Sequence, residues 1–333
     1  MTDKNSIYWD INIPLSYNAL FNAIIGARGV GKSYGVKERV INKFIEKGEK
    51  FAYLRRFKTE LSDIGTFFND IYMKYPDHEF EVKGKSFLID GEEAGKCFAL
   101  STAKIKKSNS YPLITTIIFD EFILDSGYHH YIPDEVVNFL EFYETIARMR
   151  EVKVFLISNA ITWTNPYFTF FELDPPKSKK GIAVNNDFLV QVVQNKKYSD
   201  VKEKTRFGKM LKGTSYGNYA FKNEFLRDST NFVLPKSPEN MRMHFIMKVI
   251  GKMYGVWLAP DEGIYYVSKK FDPKYKLIYT AMNEDHEPNT LLLKGRNKST
   301  IFKDFVDQYK YGSVYFDSID TKNIMLKILK IAM

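Results

Sequence analysis

Gly26-Ala27-Arg28-Gly29-Val30-Gly31-Lys32-Ser33 reads G-x-x-x-x-G-K-S, a complete phosphate-binding loop, and its two flanks decide the fold. Before it, Leu20-Phe21-Asn22-Ala23-Ile24-Ile25 is an apolar run of the kind that forms a buried strand. After it, Val36, Val40, Ile41, Phe44 and Ile45 recur at helical spacing, and Gly48 stops the helix. Strand, glycine turn and helix together give the motif its mechanism. The glycines let successive backbone N–H groups curl around phosphate oxygens, the helix N-terminus adds partial positive charge, Lys32 reaches the β- and γ-phosphates, and the Ser33 hydroxyl ligates Mg²⁺. Gly26, Ala27, Arg28, Gly29, Val30, Gly31, Lys32 and Ser33 are therefore expected to cradle a nucleoside triphosphate.

A second run says what happens to the nucleotide. Thr115-Thr116-Ile117-Ile118-Phe119 has the unbroken apolar texture of a parallel strand covered on both faces, and it ends in Asp120-Glu121. An acid at the tip of such a strand faces the loop and can hold Mg²⁺, which assigns Asp120 to the metal. Glu121 is placed to polarise a water for attack on the γ-phosphate. The pair suits hydrolysis, so the expected cofactors are ATP and Mg²⁺. Val152-Lys153-Val154-Phe155-Leu156-Ile157 reads as another core strand with Ser158-Asn159 at its tip. Asn159 is a candidate γ-phosphate sensor that could clamp Glu121 between turnovers; loop turn chemistry accounts for it equally well. Val136, Val137, Leu140, Tyr143, Ile146 and Ala147 form an amphipathic helix opened by Pro133 and closed by Arg148-Met149-Arg150. Those cations either complement the helix dipole or supply, from Arg148 or Arg150, a finger for a neighbouring subunit's site.

Composition narrows the class. The 333 residues are 44% hydrophobic and 27% charged, enough for two domains with real cores. No stretch of eighteen apolar residues occurs, and the first residues lack the pattern of a secretion signal. Cys97 is the single cysteine, so no internal disulfide or cysteine metal cluster can form. The net charge of +9 favours polyanions.

Residues 1–195 read as an α/β nucleotide-binding domain, with a short strand at Phe51–Leu54, a hairpin over Glu79–Asp90 turning at Gly84-Lys85, and a strand at Cys97–Leu100. The loop from Ser101 to Pro112 carries Lys104, Lys106 and Lys107 and precedes the Asp120 strand; it is either a solvated basic loop or a DNA contact. Residues 196–228 read as a basic linker module in which Phe207, Gly208 and Gly213 interrupt any helix; solvation and a nucleic-acid or subunit contact stand level. Residues 229–333 show three short strands, Met241–Val249, Met253–Leu258 and Ile264–Val267, then helices over Thr300–Tyr309 and Asp320–Ile331. That order suits an RNase H-like fold. The first strand carries no carboxylate for a two-metal nuclease, so a vestigial, non-catalytic DNA-holding domain is expected.

The chain resembles the DNA-packaging (encapsidation) ATPases of phi-29-like small tailed phages. The resemblance is carried by Ile25 to Tyr34, Tyr53-Leu54-Arg55-Arg56, Pro76-Asp77-His78-Glu79, Ile118-Phe119-Asp120-Glu121-Phe122, Tyr131-Ile132-Pro133, Ser158-Asn159-Ala160, Asn165-Pro166-Tyr167-Phe168 and Lys204-Thr205-Arg206-Phe207-Gly208, in one order with similar spacing. It implies an additional-strand P-loop ATPase domain with a mostly parallel sheet, and a homopentameric ring motor. Such a ring sits at the portal of a prohead in the host cytoplasm, in some relatives through a packaging RNA, and threads double-stranded DNA inward. It also implies Glu121 as the catalytic acid, Asn159 as its switch partner and Arg148 as the trans-acting finger, with Lys58 and Lys107 near the channel or a neighbouring site. A P-loop NTPase with an assembly or kinase role is the alternative; no Asn-Lys-x-Asp guanine motif is present.

Overall fold

The computed structural model describes residues 7–102, 110–124, 131–160, 181–193, 195–214, 232–293 and 299–332, with residues 163, 165–171, 173, 176 and 217 between them. The chain divides into two compact units, Met1–Arg227 and Asp228–Met333.

The first unit is built on a nine-stranded sheet. Its strands are β1 (Phe21–Gly26), β2 (Lys50–Arg55), β3 (Phe80–Lys83), β4 (Ser86–Ile89), β5 (Glu92–Ala99), β6 (Ile114–Asp120), β7 (Lys153–Asn159), β8 (Ile182–Asn185) and β9 (Phe188–Val193). They lie in the order β3-β4-β5-β2-β6-β7-β1-β9-β8. The run from β5 to β9 is parallel, and only the β3–β4–β5 and β8–β9 edges are antiparallel. β7 lies between β1, which feeds the phosphate loop, and β6, which ends in Asp120. This is the additional strand expected of the domain class. Both faces are covered, which is why β1 and β9 are buried at every position. One face packs Val36, Val40 and Ile41 of the Lys32–Lys47 helix. The other is aromatic: Phe119, Phe122, Tyr167 and Phe188 share one core with Phe139 of the Glu135–Ala147 helix. Ring pairs 5.5–6.0 Å apart, Phe119–Phe139 and Phe122–Tyr167 among them, each add about 1 kcal/mol beyond burial.

Several expectations need correction. The strand expected at Cys97–Leu100 begins at Glu92, its first half hidden from pattern reading by Glu92, Glu93 and Gly95. The edge strand β8 and its neighbour β9 were not anticipated. Phe207 and Gly208 do not interrupt a helix: Lys196–Lys204 and Arg206–Leu211 are both helical, because Asn195 and Thr205 accept the Tyr198 and Gly208 amides as N-caps.

The second unit contains a six-stranded sheet of β10 (Arg242–Val249), β11 (Lys252–Ala259), β12 (Ile264–Ser268), β13 (Ile278–Thr280), β14 (Leu291–Leu292) and β15 (Val314–Phe316), ordered β14-β13-β10-β11-β12-β15. β10, β11 and β12 form the antiparallel meander; β13 adds parallel to β10, β14 to β13 and β15 to β12. The Thr300–Lys310 and Ile319–Ala332 helices bury Phe302, Phe305, Ile324 and Ile328 against this sheet. Asp285, itself buried, accepts the Ile250 and Gly251 amides at 2.6 and 2.7 Å and so fixes the β10–β11 turn.

Candidate nucleotide site

Parallel strands place their carboxyl ends along one edge, and the P-loop, Asp120, Glu121 and Asn159 all sit there. β1 and β7 run in register, Gly26 opposite Asn159, while Asp120 of β6 lies opposite Ile157. A cavity of about 740 Å³ opens at this edge, lined by Gly29, Lys32, Ser33, Asp120, Glu121 and Asn159 among others. Its size suits a nucleoside triphosphate.

Lys32 is buried and donates to the Gly26 and Ala27 carbonyls at 3.0 and 2.8 Å; Asn159 Oδ1 stands 3.5 Å from its ammonium. Burial lowers its pKa to about 8, with Lys202 adding to the effect and Asp120 opposing it. An incoming phosphate would replace weak carbonyl acceptors with full charge. Asp120 Oδ2 accepts from the Tyr53 hydroxyl at 3.1 Å, and Oδ1 accepts from the Glu121 amide at 3.1 Å. Burial raises the Asp120 carboxyl above the ordinary range, against the pull of Arg55 and with a push from Glu121. Mg²⁺ prefers oxygen ligands and is usually held by one or two protein groups plus phosphate. The Ser33 hydroxyl and the Asp120 carboxylate, both lining the cavity, are such a donor set.

Glu121 takes φ +57°, a strained conformation for a residue with a side chain, and its carboxylate is exposed. Two arginines at the tip of β2 govern it. Arg55 Nη2 donates to Glu121 Oε2 at 2.8 Å and is itself held by Glu60. Arg56, 1% exposed, donates to the Glu121 and Phe122 carbonyls at 3.1 and 2.6 Å. Its other donors bind Glu135 at 2.8–3.0 Å, where Tyr167 OH also donates at 3.0 Å. The anticipated Asn159–Glu121 clamp is not the arrangement seen: Asn159 faces Lys32, and Glu121 pairs with Arg55. Sequence reading missed Tyr53, Arg55, Arg56 and Glu135 as parts of the site. The available signal was two arginines directly after a short apolar strand, where charges need partners.

The two candidate finger residues separate cleanly. Arg150 is committed within its own chain, donating to the carbonyls of Tyr111, Pro112, Ile114 and Ile146 at 2.5–2.9 Å. Arg148 is exposed at φ +51°, and among the described residues its side chain makes no hydrogen bond or ion pair. It precedes β7, whose seven residues then run to the nucleotide edge, about 20 Å away at 3.3 Å per residue. Arg148 therefore lies toward the opposite end of the strands and does not line its own chain's cavity. Lys58 is exposed, two residues beyond Arg56; Lys104, Lys106 and Lys107 lie outside the described residues.

The profile of the Podovirus DNA encapsidation protein (Gp16) family matches residues 2–332. The chain belongs to this family. It is 37% identical over 328 residues to the DNA packaging protein of Bacillus phage phi29, covering 98% of both chains. It superposes on a chain of the bacteriophage phi29 viral genome packaging motor assembly with a TM-score of 0.83, at 36% identity, over 98% of this chain and 100% of the other. The N-terminal domain of the phi29 DNA packaging ATPase matches 57% of this chain and 98% of its own length at 43% identity, TM-score 0.54. The chain itself pairs a P-loop unit with a separate C-terminal unit.

Proposed function

We propose that this chain is the ATP-hydrolysing subunit of a ring motor that drives double-stranded DNA into a prohead through its portal. The observation that carries the reading is the single edge on which Lys32, Ser33, Asp120 and Glu121 converge while Arg148 is held some 20 Å away at the other end of the strands. Arg148 so placed is suited to serve a neighbouring copy's site rather than its own, which fits a closed ring; the phi29 assembly supports a homo-oligomer, pentameric by family resemblance, docked on a portal.

In this reading the loop amides and Lys32 bind and orient the triphosphate. Ser33 and Asp120 would hold Mg²⁺, which would neutralise charge on the triphosphate. Glu121 accepts a proton from the attacking water, and Arg148 of the next copy stabilises charge on the transferring phosphoryl group. Between turnovers Arg55 holds the Glu121 carboxylate, and Asn159, beside Lys32, senses the γ-phosphate. The strained Glu121 turn, anchored by Arg56, lets the carboxylate move from one partner to the other without moving the strand.

The second unit is read as a vestigial RNase H-like domain for DNA or portal: its meander with parallel strands added supports the architecture, and β10 carries no carboxylate. Exposed Lys58 and the loop with Lys104, Lys106 and Lys107 are proposed to face DNA. The decisive experiment is ATP turnover by full-length protein on proheads, with and without double-stranded DNA. Stimulation by DNA that falls steeply with salt is expected, because each phosphate contact releases counterions. Turnover indifferent to DNA would favour an assembly role instead.

A further inference from the structure

The basic run after β9 reads as a linker, yet its first helix reaches back to the phosphate loop. Lys202 Nζ and Tyr198 OH both donate to the Arg28 carbonyl, at 2.6 and 3.0 Å. Lys202 also sits 5.2 Å from the Tyr198 ring centroid. The helix is anchored at its start, where Asn195 caps it and donates to the Ile7 carbonyl. Gly29, at φ +83°, leaves no room for a side chain, since a Cβ there would stand 2.6 Å from the Tyr198 hydroxyl. Loop and helix are therefore in direct contact, glycine included.

We propose that Tyr198 and Lys202 are positioning residues of the nucleotide site, gripping the Arg28 carbonyl from outside so that the Gly29 amide is aimed at bound phosphate. In a trans peptide the C=O and the following N–H point in opposite directions. Two donors on the Arg28 oxygen thus fix the Gly29 N–H, on the cavity wall, toward the opposite side. Donation to the carbonyl also polarises the peptide unit and strengthens its N–H as a donor. A charged donor on one peptide of the cradle converts helix seating into phosphate affinity. Conversely, a phosphate pulling on that amide tightens the helix on the loop, so the segment leading to the second unit registers nucleotide occupancy. This rests on the proposed ATP site.

The test is ATP binding by full-length protein, measured calorimetrically without turnover, for wild type, Lys202→Met, Lys202→Arg, Tyr198→Phe and Lys197→Met. Lys197 is exposed on the same helix and controls for general charge. Lys202→Met is expected to weaken ATP binding about tenfold and Tyr198→Phe severalfold. Lys197→Met and Lys202→Arg should remain within about twofold of wild type. Melting temperatures without nucleotide should be unchanged across the set, while the shift produced by ATP shrinks in the two weakened variants. Wild-type affinity in both Lys202→Met and Tyr198→Phe would overturn the proposal, as would equal weakening by Lys197→Met. Failure of the wild type itself to bind ATP would instead remove the nucleotide site on which the proposal stands.

Discussion

Replacing Glu135 by Leu should cost about 3–5 kcal/mol, because it strands the Arg56 guanidinium in the core without its counter-charge. Both side chains are 1% exposed, and the pair is joined by three hydrogen bonds. Burial by itself lowers the Arg56 pKa; Glu135, through hydrogen bonds and charge, more than reverses this. Removing both charges in Arg56→Met/Glu135→Leu eliminates the stranded ion. It still forfeits the bonds to the Glu121 and Phe122 carbonyls and leaves Tyr167 OH without its acceptor, about 1 kcal/mol each. The double variant should therefore be more stable than Glu135→Leu, with a coupling energy of about 2 kcal/mol or more. Urea unfolding followed by circular dichroism measures this, with the first unit's transition moving down by more than about 1 M in the single variant. The same double variant should hydrolyse ATP poorly despite its recovered stability, because the strained Glu121 turn has lost its anchor. A double variant as unstable as Glu135→Leu would refute the account of a stranded charge. Full turnover in it would refute the account of Arg56 as the anchor.

Three further outcomes are expected. Glu121→Gln should bind ATP normally and release phosphate at least about 100-fold more slowly in a coupled phosphate assay, since the carboxylate is the proton acceptor. Arg148→Ala should abolish turnover alone and poison mixed assemblies more than in proportion to its fraction; a strictly proportional loss in titrated mixtures would argue for action within one chain. Proton uptake on ATP binding should follow the Lys32 ammonium. Burial lowers its pKa to about 8 in the free protein, so below that pH the ammonium is already charged and no proton is taken up. As pH rises past it, the free protein loses the proton and the bound triphosphate restores it, so uptake grows toward one per site. Calorimetry in buffers of different ionisation enthalpy reads this directly, and Lys32→Met should abolish it.

The phosphate loop, the strand ending in Asp120-Glu121 and the helix after the loop were legible because each is a continuous segment whose burial dictates its texture. The same holds for β7 and for the meander of the second unit. β13, β14 and β15 are two or three residues long, too short for any period, and their pairing depends on partners remote in the chain.

From the sequence alone came a nucleotide-binding α/β domain with an acidic pair at a strand tip and a separate basic C-terminal region, because local backbone chemistry and apolar spacing are written residue by residue. Tertiary structure decided which side chains meet. β7 lies between the loop strand and the acidic strand, Glu121 is held by Arg55 and its turn by Arg56, and Arg150 is tied down while Arg148 is left outward. The linker helix rests on Arg28. Each of these joins residues tens of positions apart or more, and such meetings are set by how strands order themselves in a sheet.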